Sequence, residues 1–378
     1  MNILLFAWNF PPKTGGLESV VYNLYSRLKN KHALFTVTIH NAKLSSPGER
    51  IYRSCFSIFP LYLIYALIKG AWIIHKENVE VIFSASGATA VAAVILGRVF
   101  KKKVITHVFG LDVIYPNKIY QWLVRKFLVK SNAVISICNF TKNELVKRGM
   151  PPEAVHIIHP GIDETFFKNE FSKISLKEKY GFLNRPVLLS ACRLAKRKGI
   201  PEFIDNSLVQ IVKEIPDIVY LIAGDNPKDS LSHREDVASQ IKDVICKNSL
   251  GYNVKFFGKV SGLTLRELYC LSDIFILPVI DIPGDVEGFG LTFIEANAYG
   301  CPAIGTRAGG IPEAIEDGKS GIIVDPGDYT GFTKAVISLV GDRPKYEQLS
   351  SYALKRARTD FNWDNIILKY DSLIRMIK

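Results

Sequence analysis

Two glutamates, Glu287 and Glu295, bracket a Gly-Phe-Gly in the stretch VEGFGLTFIEANAYGCP, residues 286–302. The run IFILPV before it reads as a buried strand, and LTFIEANAYG as a helix stopping at Gly300. Glu287-Gly288-Phe289-Gly290 then lies at a helix N-terminus, where free backbone N–H groups and the positive dipole end favour an anion. Glu295 falls about one turn into the helix and can point toward the same mouth. A carboxylate beside an anion site is awkward unless it holds hydroxyls, and a nucleotide sugar supplies both a diphosphate and diols. A surface helix with an acid at its dipole end explains the glutamates alone equally well. The stretch CRLAKRKGI adds Arg193 and Lys198 in a basic loop just past a strand, two cations suited to a diphosphate. A solvated basic turn is the plainer reading of that loop. Near the start, PPKTGGLESV puts Gly15 and Gly16 between the first strand and helix, where turns use glycine in any case.

The elements that must position these residues read as two α/β layers. MNILLFAWNFPP opens as a buried parallel strand, followed by a helix from about Glu18 to Leu28. Apolar β-rich runs follow at Phe35–Ile39, Val79–Ser84, Lys103–His107 and Ala133–Ile137. Helical stretches such as Lys118–Lys130 and Thr141–Arg148 lie between them, the alternation of a parallel sheet. The pattern restarts at Pro186–Leu194 and continues with Val219–Ala223, Val254–Phe257, Ile274–Pro278, Pro302–Gly305 and Gly321–Val324. The linker falls near Pro160–Phe171, and an amphipathic helix near Asn365–Ile377 ends the chain.

At 378 residues, two domains of ordinary size are expected. Hydrophobic content of 48% and charged content of 22% exclude a disordered chain. Cys55, Cys138, Cys192, Cys246, Cys270 and Cys301 include no C-x-x-C pair and read as reduced thiols of a cytosolic protein. No cleavable leader is expected, because the opening apolar run reaches Asn9 and Pro11 too soon. The net charge of +12 is uneven: residues 1–165 hold 20 Lys and Arg against 9 Asp and Glu, and residues 166–378 hold 28 against 27. The first half therefore expects an anionic partner.

Taken in order, FPPKTGGLE, HPGID (159–163), CRLAKRKG, AGD (223–225), FFGKVS (256–261), the Glu287/Glu295 E-x7-E pair and FNWDNI (361–366) resemble a retaining glycosyltransferase of family 4, over the whole chain. The resemblance implies a GT-B fold, two Rossmann-like parallel-sheet domains facing a central cleft. It implies an acceptor-side domain at 1–165, to which a helix over about 362–378 can return, and a nucleotide-sugar donor domain at 166–361. It implies that Glu287 faces the donor sugar and Glu295 holds the ribose hydroxyls. The amides of Gly288, Phe289, Gly290, Leu291 and Thr292 would hold sugar and phosphates. Arg193 and Lys198 would neutralise the departing diphosphate, and Gly15-Gly16 would approach the donor from the first domain. With no Asp-x-Asp, no metal or other cofactor is expected. Relatives often carry a histidine directly before a glycine; here THVFGLDVIYP puts Phe109 in that place, and His107 two residues earlier on the same strand face. His107 and Asp112 are carried as further catalytic candidates.

Phe56–Ile74 is apolar but interrupted by Pro60, Lys69 and Gly70, so it reads as a helix covering the sheet with an apolar face at a membrane interface. With Lys101-Lys102-Lys103, Arg125, Lys126 and Lys130 in the same domain, the expectation is peripheral docking on an anionic cytoplasmic membrane and a lipid-linked or glycan acceptor. No nucleic-acid module is present. FPPKTGGLESVVYNL and GLDVIYPNKIYQ look most like phosphatidylinositol mannosyltransferases, which favours GDP-mannose, with UDP-glucose or UDP-N-acetylglucosamine as alternatives. A sugar-nucleotide epimerase or hydrolase, or a weakly active sugar-nucleotide-binding protein on the same fold, are the competing classes.

Overall fold

The structure is a computed structural model, and it describes residues 1–12, 15–39, 49–168, 170–227 and 235–378. The chain forms two compact units, Met1–Gly161 with Trp363–Lys378, and Ile162–Asn362. Each is a parallel sheet covered by helices, so the fold class is two parallel-sheet α/β domains.

In the first unit seven strands run in the order β3-β2-β1-β4-β5-β6-β7. They are β1 (Asn2–Ala7), β2 (Ala33–Thr38), β3 (Ile51–Arg53), β4 (Val81–Ser84), β5 (Lys103–Val108), β6 (Ala133–Ser136) and β7 (Val155–Ile157). The central strands are buried nearly end to end, because helices cover both faces of a parallel sheet; their unbroken apolar runs follow from that. Helix Phe59–Lys76 lays Tyr62, Ala66, Gly70 and Ile73 on the sheet. Gly70 permits the approach: a Cβ there would lie 2.6 Å from Leu96 Cδ1 and 2.8 Å from the Phe6 ring. Helix Trp363–Ile377 belongs to this unit and packs Tyr370 and Trp363 inside it, with the Arg27 guanidinium 5.6 Å from the Trp363 ring. β3 and β7 had no counterpart in the sequence reading, since three residues are too few to show a period.

In the second unit six strands run β10-β9-β8-β11-β12-β13. They are β8 (Val187–Ala191), β9 (Val219–Ala223), β10 (Val254–Gly258), β11 (Ile274–Leu277), β12 (Ala303–Thr306) and β13 (Gly321–Val324). From β8 the chain builds outward to β9 and β10, then crosses back to β11 on the other side of β8. β8 and β11 therefore flank the point where strand order reverses, and the carboxyl ends of strands at such a point are where open α/β sheets hold ligands. At the opposite end Asp273 staples the same two strands. Its carboxylate accepts from the Val187 amide at 2.8 Å and pairs with Lys173 and Lys177 at 2.8 and 2.7 Å. Burial raises the Asp273 carboxyl, but the two lysines outweigh it and hold its pKa below the ordinary value. All six cysteines are free thiols.

Asp273→Ala strands two cations and a backbone donor, and should destabilise the second unit by about 2 kcal/mol in denaturant unfolding. Because the native carboxyl titrates low, its contribution is present at neutral pH and is lost as pH falls through its folded pKa.

Candidate functional site

The loop after β8 turns through Lys196–Lys198 and ends on Gly199, whose φ of +64° suits glycine. The Ile280 amide donates to the Arg197 carbonyl at 2.8 Å, docking this loop on the segment after β11. Lys198 and Arg197 are thereby aimed at Glu287. Lys198 Nζ donates to Glu287 Oε2 at 2.6 Å, and Arg197 Nε approaches the same oxygen at 3.4 Å. Arg197 also reaches Asp285 at 3.4 Å. Burial alone would raise the Glu287 carboxyl; the Lys198 and Arg197 charges overcome it and hold the pKa at about 2. Glu287 is therefore a fixed anion at any physiological pH.

Each residue of the Gly-Phe-Gly has its own physical task. Gly288 and the Glu287 carbonyl lie against Gly309-Gly310 in the loop after β12: the Gly310 amide donates to the Glu287 carbonyl at 3.0 Å, and a Cβ on Gly310 would collide with the Gly288 carbonyl. Phe289 is buried, its ring 5.8 Å from Phe361. Gly290 turns the chain at φ +83° into helix Leu291–Asn297, whose first residues are Leu291 and Thr292. The helix is shorter than expected because its end tightens to three-residue turns, the Tyr299 and Gly300 amides donating to the Ala296 and Asn297 carbonyls, and Gly300 then turns away at φ +70°.

Glu295, in that helix, meets opposite conditions. Burial pushes its carboxyl up to about 7, only partly offset by the Tyr269 hydroxyl, which donates to Oε2 at 2.8 Å, and further raised by the Asp163 carboxylate. One carboxylate is clamped as an anion while the other titrates near neutrality, a division of labour set by surroundings alone.

Among the expected site residues, the second unit brings Lys198 onto Glu287, while Glu295 faces Tyr269, and Arg193 is exposed and pairs with nothing among the described residues. Cys192 carries a thiol that burial raises to about 11. Arg197, Asp285, Tyr269 and Gly309-Gly310 were missed. Arg197 was already in the basic run and Asp285 two residues before Glu287, but Tyr269 lies 26 residues from Glu295 and carries no local signal.

In the first unit, Gly15 precedes helix Gly16–Leu28 in the loop after β1; Lys13 and Thr14 of the FPPKTGGLE stretch lie outside the described residues. His107 lies in the core of the first unit. Its ring is 0% exposed, closed in by Phe109 at 4.3 Å between centroids and by Tyr370, whose hydroxyl lies 3.2 Å from Nε2. Burial pushes its pKa down to about 3, so the imidazole is neutral in the core of the first unit. Asp112 is likewise structural: its carboxylate accepts from the Gly87 amide at 2.9 Å and the Phe109 amide at 2.8 Å, tying the loops after β4 and β5. Burial raises its pKa, against those amides. Among the described residues no group of three or more His, Cys, Asp and Glu side chains converges as a metal site.

Residues 172–356 match the family Glycosyl transferases group 1, and residues 14–166 match Glycosyltransferase Family 4. The chain is 24% identical over 353 residues, 90% of its own length and 89% of the relative's, to a GDP-mannose-dependent alpha-(1-6)-phosphatidylinositol monomannoside mannosyltransferase of Mycolicibacterium smegmatis. It is 26% identical over 327 residues, 84% and 81% of the two chains, to an N-acetyl-alpha-D-glucosaminyl L-malate synthase of Bacillus anthracis. Its fold superposes on Anabaena HepE, solved in complex with UDP, with a TM-score of 0.81 over 100% of both chains at 19% identity.

Lys198→Met removes the closer cation, and the Glu287 carboxyl should rise by about 2 pH units in a carbon-13 NMR titration. Gly310→Ala should shift the Glu287 loop and abolish ligand binding there, while the first unit's spectrum stays unchanged.

Proposed function

For a chain that belongs to the GT-B glycosyltransferases, with a family 4 domain followed by a group 1 domain, we propose α-retaining transfer of a hexose from a nucleotide diphosphate sugar to a lipid-linked or glycan acceptor. The observation that carries this is the pairing of a clamped anion, Glu287, with a neutral-pH titrating acid, Glu295, at the strand-order reversal of the second unit. Glu295 accepts the ribose diol, and Glu287 accepts a sugar hydroxyl and offsets positive charge developing at the anomeric carbon. Lys198, Arg197 and Arg193 balance the diphosphate, helped by the amides of Gly288 through Thr292. Gly15 and Gly16 are further candidate donor contacts.

A carboxylate with a pKa of about 2 is too weak a base to take the acceptor's proton at neutral pH. In the retaining course that the resemblance implies, the acceptor oxygen bonds to the anomeric carbon on the face where the bond to the diphosphate breaks, and its proton passes to the departing phosphate oxygen. No metal or other cofactor is required in this scheme. GDP-mannose is the favoured donor, supported by the distant mannosyltransferase relatives; UDP-glucose or UDP-N-acetylglucosamine is the second reading, supported by the UDP in HepE and the N-acetylglucosaminyl relative. Transfer takes place at the cytoplasmic face of the membrane, the protein held peripherally in cell-envelope polysaccharide or glycolipid synthesis.

A thermal-shift panel of nucleotide sugars tests the reading: the true donor raises the melting temperature, and Glu295→Ala erases that rise. A shift that survives Glu295→Ala sinks the ribose assignment. The sign of the pH effect follows from the raised carboxyl. A diol donates to the ionised form, so donor affinity is full above about pH 7 and weakens by up to about tenfold per pH unit below it. Calorimetry across that range should show this slope in the native protein and a flat profile in Glu295→Gln.

A further inference from the structure

Arg356 lies in helix Arg343–Asp360 of the second unit and is only 8% exposed. A guanidinium that deep needs partners, and it has them on two sides. Nη1 donates to the Ala314 carbonyl at 2.5 Å, and Nη2 to the Glu313 carbonyl at 2.7 Å. These carbonyls end the helix Ile311–Ala314, which is too short to bond them itself. On its other side, Cζ stands 4.8 Å from the centre of the Phe361 ring, and Nε lies 2.9 Å from Glu316 Oε1.

Both contacts lead to the Glu287 loop. Helix Ile311–Ala314 starts directly after Gly310, whose amide holds the Glu287 carbonyl at 3.0 Å. The Glu313 and Ala314 amides return to the Gly310 carbonyl at 3.1 and 3.3 Å, so a shift of this helix carries Gly310 and the Glu287 backbone with it. The Phe361 ring packs on that of Phe289, the middle residue of the Gly-Phe-Gly, at 5.8 Å between centroids. The helix that bears Arg356 also grips the chain beyond the Glu295 helix, where the Ser350 hydroxyl donates to the Gly300 carbonyl at 2.6 Å. Stability alone does not call for an arginine here, since an apolar side chain of similar volume fills a core without desolvating a charge. What an apolar side chain lacks is the planar fork that fixes two carbonyls while its face lies on a ring.

We propose that Arg356 is a positioning residue for Glu287, holding the Glu287–Gly290 loop from behind through Gly310 on one side and Phe289 on the other. It touches neither Glu287 nor Glu295, and acts on them only through the backbone it fixes. Its effect on transfer rests on the donor reading proposed above; its effect on Glu287 does not. Arg356→Met keeps the length of the side chain and removes the fork. The Glu287 carboxyl, faced by Lys198 and Arg197, with Asp285 on Arg197 and the Cys192 thiol nearby, should then titrate at least about one pH unit higher by carbon-13 NMR, as its loop drifts from the two cations. Arg356→Lys, a single amine without the fork, should fall between that variant and the native protein. Phe361→Leu leaves both carbonyl bonds in place and should move the same resonance. Asp273→Ala loosens the same unit from the opposite end of its sheet and should leave the Glu287 titration where it is. In calorimetry with GDP-mannose, UDP-glucose and UDP-N-acetylglucosamine, the compound that the native protein binds should bind Arg356→Met at least about tenfold more weakly, well below the melting temperature of the variant. An unmoved Glu287 titration in folded Arg356→Met, or in Phe361→Leu where Arg356→Met does not fold, overturns the proposal. So does an equal shift in Asp273→Ala, which makes Arg356 a stabilising residue only. If Glu287 moves as expected while none of the three compounds binds the native protein, the donor reading falls and the positioning role stands.

Discussion

Burying Glu287 as an anion is the constraint around which the second unit is organised. A carboxylate taken from water needs opposite charge within a few ångströms, and here Lys198 and Arg197 supply it from a different loop. That pairing is possible only because β8 and β11 are neighbours although 82 residues lie between Ala191 and Ile274. The glycines then follow as necessities. Gly199 lets the cation loop lie on the Pro278 carbonyl, and Gly309-Gly310 lets a third loop press on the backbone of Glu287 and Gly288.

The contrast with Glu295 shows how one helix entrance can hold two acids of different character. Neither residue differs chemically from the other. One faces two cations; the other faces a tyrosine hydroxyl and a second carboxylate, and the result is a pKa of about 2 against about 7. A fixed anion and a switchable one are suited to different tasks on a ligand that carries both a charged bridge and several diols.

The first unit divides its chemistry otherwise. Buried His107 and half-buried Asp112 hold loops and core together, and residues 1–165 carry 20 Lys and Arg against 9 Asp and Glu. The same helix that closes the core with Tyr62 and Ala66 leaves Ile64, Ile68 and Trp72 exposed on its other side.

All six strands of the second sheet were legible, because strands buried on both faces read as apolar runs bounded by turns. In the first sheet the three-residue edge strands β3 and β7 escaped, being stabilised by their neighbours and not by their own pattern. Glu287, Glu295, Lys198 and the glycine loop were legible as a motif. The partners Arg197, Asp285 and Tyr269, and the sealing of His107 behind Tyr370, were not. Local order alone determined the α/β class, the loop-to-helix entrance and which residue types stood there, since periodicity and glycine placement act over a few residues. Which carboxylate is clamped, which titrates and which histidine is shut away were decided only by tertiary structure, because electrostatic environment depends on groups that are distant in sequence and adjacent in space.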